Sequence, residues 1–392
     1  MGISLKPQHL KRYKDIAWLL MKYGRSDLVK NAGLDDVLRD EEPDTPVAEA
    51  PPEAKALADD LERMGPTFIK LGQLLSTRPD LLPMSYLESL TRLQDKVEPF
   101  AYEEVEAIVS SELGVRISKA FLEFDPTPIA AASLGQVHRA RLRDGRPIAV
   151  KVQRPGIRER VVEDLEALND VAEFLDRHTE MGKHYEFQKM LEEFRRSLMR
   201  ELDYRQEAIN LSTMSDILSE FDSIVVPLPI EDYTTSRVLS MDYIKGKKIT
   251  SLTPLARLEI DGTRLAEQLF RAYLKQILVD GFFHADPHPG NVFLTDDGRI
   301  ALLDLGMVAR VAPALQEKLL QLLLAVAEGR SEEAANFAIR IGEKTDDFDE
   351  EEFRRRVADL VAHQQGRNYE QLEIGKIMLE VTKVSGECAI RL

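Results

Sequence analysis

The sequence is poor in cysteine and has no long apolar run, and each absence excludes a class of protein. Cys388 is the single cysteine in 392 residues, so the chain can form neither an internal disulfide nor a cluster of thiolate metal ligands, and we expect a reducing compartment. A run of about 18 apolar residues, the length that crosses a bilayer, is missing. The N-terminal stretch "MGISLKPQHLKR" also lacks the apolar core of a signal peptide. We therefore predict a cytoplasmic protein whose helices do not cross a membrane.

Positive charge is scarce as well. The 52 Lys and Arg residues are outnumbered by 68 Asp and Glu, which gives a formal net charge of -16. A protein that binds nucleic acid needs clustered cations to displace the counterions of the phosphates, so we predict no nucleic-acid partner. The hydrophobic fraction of 44% is enough for a large core of two or three structural units. Nucleotides, proteins and lipids are the partners that this composition favours.

The first 54 residues are predicted to be a basic amphipathic segment followed by a linker. Residues 1–30 contain seven Lys or Arg and two Asp, and residues 41–53, "EEPDTPVAEAPPE", are acidic and rich in proline. Within the basic segment, one stripe at helical spacing is apolar and a second is basic around a tryptophan. The stripes are Leu10, Tyr13, Ala17 and Leu20, and Lys11, Lys14, Trp18, Lys22 and Arg25. Two interpretations stay open, a helix at a membrane interface and a helix docked on the acidic body of the protein.

The rest of the chain changes its periodicity twice. Residues 55–120 are predicted to be a helical extension, with the helix from about residue 54 interrupted at its prolines. Residues 121–245 contain β-type runs, including a hairpin with its turn at Asp144–Gly145, and a helical stretch from about 158 to 218. We predict a five-stranded antiparallel sheet with an intervening helix. Residues 246–392 are predicted to be mostly helical, with one hairpin that turns at Asp297–Gly298.

The stretch "HADPHPGNVFLTDDGRIALLDLG", residues 284–306, carries the chemistry of a phosphoryl-transfer site. Asp286 and Asn291 are five residues apart, as in the kinase pattern H-R-D-x-x-x-x-N, and Asp304 of "DLG" stands where kinases have D-F-G. Asp286 is therefore predicted to be the catalytic base. Asn291 and Asp304 are predicted to hold Mg²⁺, a hard cation that prefers oxygen ligands. The bilobal protein-kinase-like α+β fold accounts for this order of elements.

The nucleotide side of the site is predicted upstream. Lys151 in "IAVKV" matches the lysine that contacts the α- and β-phosphates. Alanines replace the usual glycines in the loop before it, and their β-carbons restrict the backbone, so we expect an unusual nucleotide geometry. The predicted nucleotide-binding residues are Ile129, Ala130, Ala131, Ala132, Ser133, Leu134, Gly135, Gln136, Val137, Lys151, Glu207, Met241 and Tyr243. No A-P-E segment follows "DLG", which favours a lipid or small-molecule acceptor over a protein.

These motifs resemble the UbiB family of atypical kinases, also called AarF-domain kinases, over roughly residues 55–330. The matching stretches are "FIKLGQLLSTRPDLLP", "PIAAASLGQVHRA", "ELDYRQEA", "FFHADPHPGN" and "DLG". The resemblance implies an ATP- and Mg²⁺-dependent protein that supports the biosynthesis of ubiquinone or a related isoprenoid lipid. It also implies a lipid or quinone precursor as a partner, a place at the inner face of a membrane, and contact with other biosynthetic enzymes.

The resemblance assigns roles to residues that ordinary kinases lack. Lys70 and Gln73 form its K-x-G-Q signature, and Glu201 and Asp203 its E-x-D signature. We assign Glu207 to Lys151 and Glu201 to Lys70, and the reverse assignment stays open because two glutamates six residues apart on one helix point about 120° apart. Lys70, paired with an E-x-D acid, is expected to hold its helix across the cleft as a regulatory element.

Two hypotheses of function remain at this point. In the first, the protein is a phosphotransferase or ATPase in which Asp286 orients the attacking hydroxyl. In the second, it is a non-catalytic module that binds ATP and then presents a surface to lipid-biosynthesis enzymes. The intact set of Lys151, Asp286, Asn291 and Asp304 favours the enzyme.

Overall fold

The computed structural model describes most of the chain. The described residues are 10–23, 52–76, 78, 81–93, 97–179, 182, 186–253, 261–285, 289–344, 348–362, 374–388 and 390–391. Residues 41–51 of the predicted linker lie outside them, as does Asp286. Residues 52 and 53, predicted to belong to the linker, instead begin a helix. The chain forms two compact units, and both are discontinuous in sequence.

The first unit contains residues up to Ser215, then Val226–Lys245 and Leu303–Met307. Its helices are α1 (Leu10–Tyr23), α2 (Pro52–Met64), α3 (Pro66–Leu75), α4 (Met84–Thr91), α5 (Tyr102–Leu113), α6 (Ile117–Ala120), α7 (Ile157–His178), α8 (Phe187–Glu201) and α9 (Tyr204–Ile217, to Ser215 within this unit). Its strands are β1 (Glu123–Ala131), β2 (Gly135–Arg141), β3 (Pro147–Gln153) and β5 (Val238–Asp242).

Helix α1 docks on the acidic body of its own unit, which was one of the two interpretations of the basic segment. Its Arg12 forms an ion pair with the buried Asp164 at 2.6 Å, and its Lys22 forms one with the buried Asp60 at 2.6 Å. Ile16 and Tyr23 are buried in the same hydrophobic cluster as α2, α3 and α4. The predicted apolar stripe is wrong in part, because Ala17 is exposed and the buried face runs through Ile16 and Tyr23.

The helical stretch predicted from about residue 54 is interrupted at its first internal proline, as expected, and forms α2 and α3. The break falls at Gly65, whose φ of 108° suits glycine, and Pro66 begins α3 because a proline at the first helical position loses no hydrogen bond. Lys70 and Gln73 therefore lie on α3. A Cβ on Gly72 would stand 2.3 Å from Leu93 Cδ1, so glycine lets α3 pack closely against the chain after α4.

The sheet of the first unit has four strands in the order β1-β2-β3-β5, all antiparallel. The predicted hairpin at Asp144–Gly145 joins β2 to β3. The prediction of a fifth strand is wrong: Pro229 makes only an isolated bridge to Met241, and strand β4 (Ile224–Val225) pairs in the other unit. Proline has no N–H to donate to a ladder, so the "VPLPI" segment meets β5 only through two backbone bonds, from Ile230 N–H to the Ser240 carbonyl at 2.8 Å and from Asp242 N–H to the Leu228 carbonyl at 3.0 Å.

The helical stretch predicted at 158–218 consists of α7, α8 and α9. A break of two residues separates α8 from α9, and Asp203 begins α9 by accepting a hydrogen bond from the backbone N–H of Arg205 at 3.2 Å. Glu201 and Glu207 therefore lie on different helices. The predicted angle of 120° between them on one helix is wrong.

The second unit contains Asp216–Val225, Gly246–Leu302 and the chain from Val308. Its further strands are β6 (Gly246–Lys248), β7 (Phe282–His284), β8 (Val292–Thr295), β9 (Ile300–Leu302), β10 (Val308–Arg310), β11 (Glu343–Lys344) and β12 (Ile390–Arg391). Its helices are α10 (Gly262–Lys275), α11 (Pro313–Ala327), α12 (Ser331–Ile341), α13 (Glu350–Ala362) and α14 (Ile374–Glu387). A π-helical turn, Gln276–Asp280, continues α10.

The predicted hairpin at Asp297–Gly298 is present as β8 and β9, but it is not isolated. It belongs to a four-stranded sheet in the order β4-β9-β8-β6, in which β4 and β9 are parallel. Helices α11 to α14 bury a separate core around Phe353 and Val357. Among the described helices, none combines the length and the apolar character needed to cross a bilayer.

Candidate nucleotide-binding site

Lys151 is the centre of a charged cluster in the first unit. It lies in the middle of β3, opposite Val137 of β2 and Leu239 of β5, so the sheet fixes its backbone on both sides. Its ammonium donates to both carboxylate oxygens of Glu207, at 3.0 and 2.8 Å. The structure thus contains the ion pair that the sequence predicted, and Glu207 rather than Glu201 is the partner.

A second carboxylate faces the same ammonium. Asp304 Oδ2 lies 3.7 Å from Lys151 Nζ, and 48% of the Asp304 side chain is exposed, against 4% for Glu207. Burial lowers the pKa of Lys151, but the carboxylates of Asp304 and Glu207 outweigh it and hold that pKa well above its ordinary value. Lys151 therefore stays charged, with one buried carboxyl group to fix it and one exposed carboxylate beside it.

Burial raises the pKa of Glu207 to about 7, although Lys151 opposes the shift. A carboxyl group that titrates near neutral pH in a charged cluster is typical of a functional site. The Lys151–Glu207 pair is consequently sensitive to pH in a range where exposed glutamates are not.

The segment around Asp304 is held by two hydrogen bonds. Asp304 Oδ1 accepts from the backbone N–H of Gly306 at 3.1 Å. The carbonyl of Leu305, which is fully buried, accepts from the side-chain amide of Asn210 on α9 at 2.8 Å. These contacts orient the Asp304 carboxylate so that its other oxygen faces Lys151.

The alanine-rich stretch 130–136, called the nucleotide loop below, ends β1, turns tightly and begins β2. The backbone N–H of Ala132 donates to the carbonyl of Gly135 at 2.8 Å, which closes the turn. Ser133, Leu134 and Gln136 are buried, and Leu134 packs in a hydrophobic cluster with residues of α7 and α8. Of the residues predicted to bind nucleotide, Ile129 and Ala130 on β1 are exposed, whereas residues 133–136 face the protein.

Gly135 and Gln136, at the start of β2, are held against other parts of the unit. The Gln136 side chain accepts from the backbone N–H of Phe100 at 2.9 Å and donates to its carbonyl at 3.3 Å. A Cβ on Gly135 would stand 2.5 Å from both the hydroxyl of Tyr204 and the carbonyl of Val152. The glycine kept in this loop therefore serves close packing at the end of the loop.

Lys70 and Glu201 form the second ion pair that the sequence predicted. Their charged atoms are 2.6 Å apart, and the two side chains are 12% and 18% exposed. Gln73 donates to the carbonyl of Leu93 at 3.1 Å. Asp203 caps α9, so Glu201 is the E-x-D acid that meets Lys70. The regulatory roles of these residues remain predictions.

The predicted hinge residues lie at the end of β5. Met241 is buried and pairs with Ala149 of β3. The ring of Tyr243 lies under the guanidinium of Arg139, 5.0 Å from its centre. A role of their backbone in adenine binding stays a prediction.

The remaining predicted residues belong to the second unit. Asn291 ends a short 3₁₀ turn, Pro289–Asn291, directly before β8, and Asp286 lies outside the described residues. Within the described ranges, no three His, Cys, Asp or Glu side chains form a metal-binding group. The assignment of Asn291 and Asp304 to Mg²⁺ is therefore still a prediction.

Sequence reasoning missed Tyr204 and Asn210. Both lie on α9, three residues before and three residues after Glu207. Residues at this spacing are neighbours on a helix surface, so the spacing was the signal in the sequence that could have indicated them. Tyr204 is 1% exposed, and its ring centre lies 5.2 Å from the ammonium of Lys151. Helix α9 thus contributes more to this cluster than the single glutamate that the motif indicated.

Comparisons with known proteins agree with this architecture. A family model described as the ABC1 atypical kinase-like domain matches residues 92–338. An uncharacterised Synechocystis protein, slr0889, is 39% identical over 302 residues, which are 74% of each chain. The Arabidopsis thaliana protein ACTIVITY OF BC1 COMPLEX KINASE 8, chloroplastic, is 40% identical over 74% of this chain and 38% of its own length.

A further Synechocystis relative, sll1770, is 37% identical over 85% of this chain and 57% of its own length. This chain therefore spans between about two fifths and three fifths of sll1770 and the Arabidopsis protein. The Mycobacterium tuberculosis protein Rv3197, solved with erythromycin, superposes with a TM-score of 0.50 and 24% identity, covering 86% of this chain and 91% of that one, which supports the fold alone. The chain has the kinase-like α+β fold and belongs to the ABC1 atypical kinase-like family, the UbiB family that its motifs indicated.

Proposed function

We propose that the protein is an ATP- and Mg²⁺-dependent phosphotransferase or ATPase that acts in ubiquinone or related isoprenoid-lipid biosynthesis. The observation that carries the proposal is the placement of Lys151 between Glu207 and Asp304. Phosphoryl transfer requires a fixed cation for the phosphates and a carboxylate for their metal ion. Glu207 fixes the cation, and Asp304 is the exposed carboxylate.

The residues present fit a nucleotide with its metal ion. Asp304 is about half exposed, and one of its oxygens lies 3.7 Å from the ammonium of Lys151 while the other accepts from the N–H of Gly306. Lys151 would contact the α- and β-phosphates, Asp304 and Asn291 would hold Mg²⁺, and Asp286 would accept the proton of the attacking hydroxyl. The metal ion, when bound, neutralises charge on the phosphate oxygens.

One observation favours the alternative, a module that binds ATP without catalysis. Residues 133–136 of the nucleotide loop are buried and tied to other parts of the unit, whereas a loop that covers phosphates must offer its backbone N–H groups to them. Such a protein would bind nucleotide and signal its presence to lipid-biosynthesis enzymes.

Phosphate release separates the two functions. We expect the wild-type protein to release phosphate from ATP in the presence of Mg²⁺, and Asp286→Asn to release it much more slowly. Asp232→Asn, an exposed aspartate of the first unit, is the matched control and should behave as wild type. Equal release by all three proteins would contradict the enzyme and leave the binding module.

The pairing of Lys70 with Glu201 supports a regulatory role for α3. Leu71 and Leu74 of α3 pack against the hydrophobic cluster that contains Leu134 of the nucleotide loop. A shift of α3 would therefore change the packing of that loop. We assign to Lys70 and Gln73 the task of holding this helix in place, which limits access of an extended substrate.

A membrane surface is the partner that the outer face of α1 supports. Trp18 is 44% exposed, and Lys14, one helical turn before it, is exposed as well, whereas Lys22 is paired with Asp60. Trp beside lysine suits the interface of an anionic bilayer. Sedimentation with phosphatidylcholine vesicles, with and without phosphatidylglycerol, tests this: Trp18→Ala should lower binding to the anionic vesicles, and Phe174→Ala, an exposed aromatic on α7, should not.

A further inference from the structure

Helix α9 contacts three different parts of the candidate site through three residues spaced three apart. Tyr204 contacts the end of the nucleotide loop, Glu207 binds Lys151, and Asn210 donates to the carbonyl of Leu305. Residues three apart lie on neighbouring positions of a helix surface, so the contacts follow one another around α9, from Tyr204 through Glu207 to Asn210. The first two serve the phosphate-binding lysine and its loop, and the third reaches the segment that carries the predicted metal ligand.

The contact of Asn210 acts on Asp304 through the backbone. Leu305 follows Asp304 directly, is fully buried, and accepts the Asn210 amide at 2.8 Å. The Asp304 side chain is turned back to the N–H of Gly306 at 3.1 Å. With the backbone held on one side and one carboxylate oxygen on the other, the second oxygen is directed to the side of Lys151.

We propose that Asn210 is a positioning residue for metal-dependent nucleotide binding, because its amide fixes the backbone of residues 304–306 and so aims the Asp304 carboxylate at the cation that accompanies the phosphates. The inference rests on the proposed use of ATP and Mg²⁺. It adds that one helix positions both charged side chains: Glu207 positions Lys151, and Asn210 positions Asp304. A shift of α9 would therefore move the phosphate contact and the metal contact together.

The test compares ATP affinity with Mg²⁺ and with EDTA in wild type, Asn210→Leu, Asn210→Asp and Thr213→Val. Leucine and aspartate both have nearly the shape of asparagine and lack the N–H donor. Loss of one hydrogen bond of this kind should reduce the gain in affinity from Mg²⁺ by about fivefold to tenfold, with metal-free affinity changed by less than about twofold. Thr213→Val, which removes an exposed hydroxyl bonded within α9, should keep the wild-type gain.

Hydrogen exchange gives a readout that does not involve nucleotide. The amides of residues 303–307 should exchange faster in Asn210→Leu than in wild type or Thr213→Val, because the segment loses its tether to α9. A wild-type gain from Mg²⁺ in both Asn210 variants would overturn the inference and leave the proposed function intact. Failure of both variants to fold would also overturn it, since Asn210 would then be a structural residue. Absence of any gain in the wild-type protein would overturn the proposed function and this inference with it.

Discussion

Gly135 and Tyr204 are in such close contact that no side chain fits between them. A Cβ on Gly135 would lie 2.5 Å from the Tyr204 hydroxyl and 2.5 Å from the carbonyl of Val152, a backbone atom that cannot rotate away. We expect Gly135→Ala to lower the free energy of unfolding by about 1–3 kcal/mol, the usual cost of overpacking. Gly262→Ala, where no atom of the described residues lies within 4 Å of the added Cβ, should cost nothing in the same chemical denaturation experiment. An unchanged midpoint for Gly135→Ala would contradict the packing.

The hydroxyl of Tyr204 should itself lower stability. It is buried and has no hydrogen-bond partner among the described residues. We predict that Tyr204→Phe raises the free energy of unfolding by about 1 kcal/mol, because an unsatisfied buried hydroxyl is removed. Tyr233→Phe is the matched control and should instead lower the free energy of unfolding, because the Tyr233 hydroxyl donates to the carbonyl of Ala120 at 3.3 Å. A clear loss of stability in Tyr204→Phe would show that the hydroxyl has a partner in solution.

The pH dependence of stability should report on Glu207. Its pKa in the folded protein is raised from 4.5 to about 7, first by burial, so the folded state binds the proton more tightly than the unfolded chain. The stability that this proton brings is complete below about pH 4.5 and is lost as the pH rises through about 7. The unfolding free energy of Glu207→Gln minus that of wild type should therefore grow by about 2–3 kcal/mol from about pH 5 to about pH 8.

The control for this measurement is Glu192→Gln, an exposed glutamate on α8. Urea denaturation at several pH values gives all three curves. A difference between Glu207→Gln and wild type that stays constant over this range would mean that Glu207 is ionised throughout, as a simple surface ion pair would be.

Removal of the Lys70 charge should destabilise the first unit. The Lys70–Glu201 pair is mostly buried, with its charged atoms 2.6 Å apart, so Lys70→Met removes a buried ion pair at a cost of about 3 kcal/mol, the lower end for buried pairs. Lys189→Met breaks an exposed pair with Glu186 and should cost less than about 1 kcal/mol. If α3 also limits access to the site, Lys70→Met should incorporate more labelled phosphate from ATP than wild type, and Asp286→Asn in the same background should abolish the gain.

Asp304→Asn should weaken nucleotide binding only when metal is present. The substitution removes the negative charge that faces the ion and keeps the shape of the side chain. We expect the affinity for ATP with Mg²⁺ to fall at least about tenfold, the lower end of what changes around a metal site cost, and the affinity in EDTA to change little. Asp297→Asn, in the β8–β9 turn, is the matched control. An equal loss with and without Mg²⁺ would place Asp304 away from the metal.

The charged cluster was largely predictable because chemistry fixes its order and spacing. A lysine on a central strand, a glutamate on a later helix and an aspartate after a hairpin constrain one another, and Lys151, Glu207 and Asp304 stand together in the structure. Asn210 was not predictable in this way. Its partner is a backbone carbonyl, which every residue type supplies, so no pair of residues in the sequence marks the contact.

The errors in the fold arose where local pattern and tertiary pairing are independent. Ile224–Val225 has strand propensity wherever it pairs, and the choice of a parallel partner in β9 depends on the whole fold. The break between α8 and α9 did have a local signal, because Asp203 before Tyr204 is a typical N-cap. The buried face of α1 was chosen by the positions of Asp60 and Asp164, far away in sequence.

The assignment of Leu303–Met307 to the first unit has a consequence for how the chain is made. A ribosome that has released residues 1–245 has produced every strand of the first sheet, but not Asp304, which faces Lys151, nor Leu305, which fills a buried position and binds Asn210. The first unit is therefore incomplete until residues 303–307 have emerged, and Ile224–Val225 likewise cannot pair until β9, residues 300–302, has been made. Neither unit can be excised as one continuous segment, and cotranslational folding of the nucleotide site must be completed by residues 303–307, which are synthesised after every strand of the first sheet.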